Sequence, residues 1–484
     1  GSVFLSRDPR NYAQRMIERS DNMWDLYRGN SGGKVGDKLA EVSQTVRNIN
    51  VVTKLGSATI SALTDPFWQL AARKFAGLPA TGIIGDVVRQ IAIGGEQEAR
   101  RAGVIADTYL HMHNVAAREG ASLSATGISG YLADRVISLS MLNGLTRAGN
   151  HAMAMGIQGF LADQTAKSFR ELDGPIQRLL RRHGLAEADW NAIRLDASGA
   201  PVKTDFLTPS AVRQAVLARG GDTQLAERYL AMTLTESQYA TATGTLRAQA
   251  MTFGNTKAGT GVGEMWRHLA QFKSFAVNMA ILQIERMARE FVSQGLWRGA
   301  QYGTYALMSA TLGGALVIQI KQLLAGKDPR DMSKPEFWAN SLYQSGGLSI
   351  WGDLLYASEN RFGGGIAGTI DGPTASSIQD LANLTYGAAS KRLVGTEKED
   401  TNYGREIAKG IRNYTPGGSL WYLRTAWNRV LMDNLQRTLD PKADAAFRRQ
   451  IQKSKKDYKQ DWWWTPGKPT PSRAPSVRAL LPAK

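Results

Sequence analysis

From Gly299 to Ile320 the chain carries no charged side chain, and Arg298 and Lys321 bracket the run. At ~1.5 Å rise per residue, a helix of this length roughly crosses the hydrocarbon core of a bilayer. The run is only moderately apolar, however. Gly299, Gly303, Gly313 and Gly314 would let another helix approach closely, as in small-residue membrane packing. Tyr302, Thr304, Ser309 and Thr311 would be equally comfortable inside a large soluble helical assembly. Three readings stay open: a buried core helix, a segment that enters a membrane conditionally, and a constitutive transmembrane helix. Tyr302, Leu307, Leu312, Leu316, Val317 and Ile318 are the candidate membrane or subunit contacts in it.

Around this run the chain reads as mainly α. Ala, Leu, Arg, Gln, Glu and Met recur at three- and four-residue spacing, and long alternating strands are hard to find. Expected helices include 10–27, 86–118, 129–171 and 187–194, with Trp190 and Ile193 on one face of the last, and further helices lie within 210–243. The clearest is 264–293. There Met265, Leu269, Phe272, Ala276 and Met279, continued by Ile284, Met287 and Phe291, form an apolar stripe, with Arg267, Gln271, Asn278, Glu285 and Arg289 largely elsewhere. Residues 196–201 read as a turn or short hairpin.

The expected organisation is an extended multi-helix assembly in three parts. Residues 1–205 form an N-terminal helical region, and 206–330 hold the long amphipathic helix and the uncharged segment. Residues 331–484 form a loop-rich, aromatic part with helices at 420–439 and 443–459 and a Pro-rich tail. A chain of 484 residues exceeds what one compact core usually supports. Gly-rich stretches at 254–263 and 363–365 are candidate hinges.

Enzyme motifs are not found. Gly29-Asn-Ser-Gly-Gly33-Lys34-Val35 has one residue too few for a phosphate loop, and Val35 replaces the hydroxyl needed at magnesium. Gly259-Thr-Gly261-Val-Gly263 lacks the dinucleotide spacing and follows no strand. Of five histidines, His111 and His113 are two apart, which on a helix turns them away from a common metal. Glu96 and Glu98 read as a solvated helix start rather than a carboxylate pair for glycoside hydrolysis. With no cysteine there is no disulfide framework, thiolate nucleophile or Cys-ligated metal. No catalytic residue, cofactor-binding residue or metal ligand is assigned, and the expectation is a protein that is not an enzyme and takes no cofactor.

The net charge of +17 points to an anionic partner. From Lys442 to Lys484 there are eleven Lys or Arg and three Asp. Arg448, Arg449, Lys453, Lys455, Lys456 and Lys459 lead almost directly into Trp462-Trp463-Trp464. Cations beside aromatics suit phosphate neutralisation with base stacking. They also suit a membrane interface, where Trp settles at headgroup depth and Lys meets anionic lipid. The plain alternative is tryptophans packed onto another helix or subunit, with solvated lysines.

The order of motifs in the second half carries a resemblance. Arg267-His-Leu-Ala-Gln-Phe-Lys-Ser-Phe275 is followed by the neutral run, Gly326-Lys-Asp-Pro-Arg-Asp331, Phe337-Trp338, Gly346-Gly347 and Gly352-Asp353. Then come Asn360-Arg361-Phe362-Gly363, Gly372-Pro373, Leu420-Trp421-Tyr422, Arg429, Asp440-Pro441 and Trp463-Trp464-Thr-Pro466-Gly467. Over roughly residues 165–484 this resembles the C-terminal regions of very large bacteriophage internal virion proteins, the ejection or inner-core proteins. The resemblance implies a packaged structural protein that leaves the capsid with the DNA and assembles into a ring or tube across the host envelope. It implies as partners further copies, other internal or portal proteins, double-stranded DNA and, on ejection, the host inner membrane. The location implied is the capsid interior, then the host periplasm and inner membrane. Some relatives carry a peptidoglycan-cleaving domain near the N-terminus; nothing here matches one, so that activity is not carried over. A start at Gly1 is then expected of a trimmed portion of a longer chain. The rival reading is a soluble nucleic-acid-binding protein packaged in the virion and injected with the DNA.

Overall fold

The computed structural model describes residues 37–80, 128–241, 259–270, 273–344 and 403–476, with isolated positions from 13 to 24 and at 82, 83, 86 and 256. The fold is mainly α: 73% of the described part is helical and no strand occurs in it. The expected helix 86–118, the candidate hinge at 363–365 and His111 and His113 lie essentially outside the described residues.

The first part comprises α1 (Asp37–Lys54), α2 (Ala58–Ala62), α3 (Asp65–Ala76), α4 (Ile128–Leu139) and α5 (Leu142–Asp163). After them come α6 (Gly174–Arg182), α7 (Glu187–Arg194), α8 (Pro209–Leu217) and α9 (Gln224–Ala240). The ends of α3 show why such segments form where they do. Pro66 stands in its first turn, Arg73 and Lys74 in its last, and Gly77 closes it at φ 81. Pro lacks the N–H that is orphaned at a helix start anyway, the cations complement the helix dipole, and Gly takes the left-handed closing position without a Cβ clash.

These helices enclose the main core. Met153, Ile157 and Leu161 from α5 meet Ile176, Leu179 and Leu180 from α6, Trp190 and Ile193 from α7, and Val212, Tyr229 and Met232 from α8 and α9. Trp190 and Ile193 share the buried face of α7, as their spacing predicts. The boundary expected at 205 falls inside this core, because α8 and α9 fill it jointly with α5 to α7.

The single helix expected over 129–171 is broken at Ser140 and Met141. The Ser140 carbonyl accepts from Thr59 Oγ1 at 2.6 Å and from Trp421 Nε1 at 3.3 Å, and Met141 turns at φ 65. These distant donors hold the chain outside the helical ladder at that point. Residues 196–201 form the expected turn, closed by one isolated bridge between Leu195 and Pro201.

Next come α10 (Gly261–Ala270), α11 (Lys273–Gln294) and α12 (Leu296–Leu324), then α13 (Pro335–Gln344). The candidate hinge at 254–263 runs into α10, which holds Gly261 and Gly263 within a helix. Gly295, at φ 84, turns the chain between α11 and α12, which pack against each other. On its other sides α12 packs on α3 and α13.

Of the last third, α14 (Tyr403–Tyr414), α15 (Arg424–Ala426), α16 (Asp433–Leu439) and α17 (Ala443–Tyr458) are helical, with a π-helical stretch, Trp427–Met432, joining α15 to α16. The expected loop-rich character is confined, among the described residues, to short connections and to 459–476.

Candidate functional site

The α11–α12 pair is built around a buried charge. Arg286, on α11, is 2% exposed and donates to the Glu236 carboxylate at 2.6 Å. Phe75, Tyr239 and Tyr302 surround its guanidinium, with ring centroids at 4.6, 4.3 and 5.2 Å. Arg182 reaches Glu236 at 3.3 Å and Glu290 at 3.2 Å, and His183 Nε2 lies 3.0 Å from Glu236. Burial works to raise the Glu236 pKa. The Arg286 guanidinium, the His183 hydrogen bond and Arg182 outweigh it and bring it down to about 2. The cluster ties α3, α6, α9, α11 and α12 together; Tyr302 also donates to Gln283.

This arrangement corrects the expected orientation of α11 in part, since Met279 is buried and Arg289 exposed as the stripe predicts. The helix buries Asn278, Arg286 and Glu290 and leaves Ile284 and Val292 exposed. A charged face turns inward because Glu236 neutralises Arg286 and three aromatic faces replace the water it loses.

The uncharged run is two-sided. Toward the protein its glycines are close-approach points. A Cβ on Gly299 would meet the Phe291 ring, one on Gly314 would overlap the Ser341 carbonyl, and one on Gly313 would lie 3.2 Å from Thr64 Cβ. The small-residue contacts expected between helices are thus made with α11, α13 and the start of α3 within one chain. Tyr302, Val317 and Ile318, offered as membrane or subunit contacts, are buried by those neighbours. Leu307, Leu312 and Leu316 are exposed, together with Met308. At about 100° per residue Met308, Leu312 and Leu316 fall within about 80° of one another on α12, and Leu307 lies about 100° from Met308. The described residues hold one helix, α12, that is long and apolar enough to cross a membrane; 44% of its most apolar window is buried.

The tryptophan triplet grips the C-terminal end of this helix. Trp463 and Trp464 both donate backbone N–H to the Gly326 carbonyl at 3.0 Å, and Trp463 Nε1 donates to Leu323 O at 3.2 Å. Trp462 is buried, with Lys327 and Arg429 over its ring at 4.9 and 5.4 Å. Arg473 pairs with Asp328, and Arg429 donates to Ala325 O at 3.1 Å. These tryptophans, expected at a membrane or subunit contact, sit against the end of α12, with Trp463 and Trp464 half-buried.

The basic residues stand apart from this grip. Ala443, Phe447 and Ser454 are the buried side of α17, while Arg448, Arg449, Lys453, Lys455, Lys456 and Lys459 are all exposed. Lys459 ends the helix in the left-handed conformation at φ 51. The result is a cationic ridge opposite an apolar seam.

No family model, curated protein or solved structure matches this chain. What it does must follow from its own residues.

One polar cluster outside these elements has the residue types of a hydrolase. Ser43 Oγ lies 2.7 Å from His268 Nε2 and donates to Glu264 at 2.6 Å, and Arg47 donates to Ser43 at 2.9 Å. Burial, then Arg47, lowers the His268 pKa to about 4. Ser43 Oγ donates its hydrogen to the Glu264 carboxylate rather than to the imidazole, so the serine-to-histidine relay of a nucleophilic serine is not formed. The cluster ties α1 to α10. Among the described residues, no three His, Asp or Glu side chains converge to hold a metal ion.

Sequence reasoning missed Arg286, Leu296, Trp297 and Met308. Gly295 was the available signal: a glycine between an amphipathic helix and an uncharged one marks a corner and fixes which residues lie at its tip.

Proposed function

We propose that this chain is a non-enzymatic structural component of a bacteriophage virion, ejected with the genome, whose copies form a ring or tube conducting DNA across the host envelope. The observation that carries the reading is the two-sided α12. Glycine contacts and a buried ion cluster hold one side, and Met308, Leu312 and Leu316 face outward together on the other, with Leu307 exposed at their flank. Such a helix sits in a protein assembly through one face and offers the other to a neighbouring copy or to lipid. The order of motifs over residues 165–484 supports the phage assignment, and the cationic ridge of α17 gives DNA or anionic lipid a place to bind.

The exposed ridge also favours a second reading, a soluble DNA-binding protein injected with the genome. The two readings separate in one experiment. Purified chain is floated with anionic liposomes, imaged by negative stain and titrated with duplex DNA across a salt series. Rings or tubes together with flotation are expected. Steeply salt-dependent DNA binding by a strict monomer that never floats, at any pH or lipid composition, would leave only the soluble reading.

A further inference from the structure

The corner between α11 and α12 exposes more apolar surface than any fold requirement explains. Trp297 is 81% exposed and Leu296 78%, and Val292 stands beside them on the last turn of α11. Two arginines stand near the corner, Arg298 at the start of α12 and Arg289 on α11 beside the partly exposed Glu285. Arg298 donates to Gln301 at 2.8 Å, and Arg289 stands 3.6 Å from Glu285. Neither Arg178, on α6, nor Arg298 forms an ion pair with a carboxylate among the described residues. Arg178 has its pKa lowered, first by partial burial and then by the neighbouring charges of Arg298 and Arg182, with Glu290 opposing. Arg178 stands one turn before Arg182 on α6, and Arg182 reaches Glu290 on α11 at 3.2 Å, so the packing of α6 carries Arg178 toward the end of α11.

The chemistry of the corner selects one partner. A second copy packed here about a two-fold axis would bring the same arginines together, in a chain whose net charge is already +17. Duplex DNA would satisfy the arginines but would leave Leu296 and Val292 in water. A bilayer with anionic headgroups satisfies both parts: indole settles at the interface, aliphatic side chains enter the acyl boundary and guanidinium meets phosphate.

We infer that the corner at residues 292–298, with Arg178 beside it, is an anchor for an anionic lipid surface, Leu296 and Trp297 entering the interface while Arg178 and Arg298 bind lipid phosphate. This rests on the membrane-contacting reading above and names the surface that makes first contact. The exposed side of α12 continues from it, so docking at the corner brings Leu307, Met308 and Leu312 next to the same bilayer.

The absence of cysteine makes the test clean. Leu296→Cys and, as a control on the exposed side of α7, Ala188→Cys are labelled with an environment-sensitive fluorophore. Each is mixed with vesicles of phosphatidylcholine alone or with phosphatidylglycerol. Circular dichroism checks that each labelled protein is folded. The expected result is a blue shift and a several-fold rise in emission at position 296 with anionic vesicles only, and no change at 188. Arg178→Gln and Arg298→Gln should each weaken vesicle binding by about fivefold. A chain that floats while the label at 296 stays in water overturns the anchor and leaves the proposed function standing. An equal response to neutral vesicles overturns the role given to the arginines. A chain that does not float at all removes both the anchor and the membrane part of the function.

Discussion

Arg286 and Glu236 meet at 2.6 Å with both side chains sealed from solvent, 50 residues apart in the chain. Their pairing holds the α11–α12 unit on the main core. The pairing reaches the uncharged run through Tyr302, its one ring against Arg286 among the described residues.

Removing one partner strands the other without water or counter-charge. Glu236→Gln and Arg286→Met should each destabilise the chain by about 3–5 kcal/mol. The double variant Glu236→Gln with Arg286→Met should lose much less than the sum of the two single changes. Urea denaturation of all four proteins measures the coupling; additive losses would mean that the two groups act independently.

Acid should loosen the fold in two steps. His268 has its pKa lowered from 6.5 to about 4, so the unfolded chain binds a proton that the fold refuses, and stability falls as pH drops through that window. Glu236 has its pKa lowered from 4.5 to about 2, so the stability it supplies is full above 4.5 and is lost as pH falls toward 2. His268→Gln should flatten the upper part of a stability-against-pH curve and Glu236→Gln the lower part. Curves parallel to that of the unaltered chain would refute both assignments.

Gly314 and Gly144 make a matched comparison. A Cβ at Gly314 overlaps the Ser341 carbonyl, whereas one at Gly144 meets nothing within 4 Å. Gly314→Ala should force α13 off α12 and cost about 1–3 kcal/mol. Gly144→Ala should be neutral or stabilising by up to about 1 kcal/mol. Thermal melts followed by circular dichroism decide it, and equal shifts would show that the α12–α13 approach is not tight.

These cases show how far the sequence could be read. The inward face of α7, carrying Trp190 and Ile193, followed from spacing alone because both residues are apolar and no distant charge competes. The glycines of the uncharged run announced close contacts, though not that the partners lie in the same chain. The face of α11 was read only in part, with Met279 inward as expected, because Arg286 is neutralised by Glu236 and caged by Phe75, Tyr239 and Tyr302, which only the fold brings together. The break at Ser140 was hidden for the same reason, since its acceptor role depends on Thr59 and Trp421. The tryptophan triplet fitted several settings by composition, and its hold on Gly326 is a matter of backbone geometry.

Arg449, Lys453 and Lys456 follow one another along the exposed side of α17. Replacing all three by Glu should leave stability within about 0.5 kcal/mol per site. Duplex DNA affinity should fall, and the slope of log K against log salt should shrink by about 0.9 for each phosphate that is no longer neutralised. Salt-series fluorescence anisotropy reads both, and an unchanged slope would place DNA elsewhere on the molecule.

The account stands most directly on Leu312, which is 39% exposed on the free side of α12. Leu312→Lys puts a charge into the uncharged run without entering the packed side. Flotation with anionic liposomes and urea denaturation are measured on the same preparations. The account predicts flotation reduced at least tenfold, because a lysine near the centre of a membrane helix costs about 2.5–3.5 kcal/mol, with unfolding essentially unchanged. Equal loss of flotation and stability, or flotation that ignores the substitution, would make α12 an ordinary core helix and contradict it.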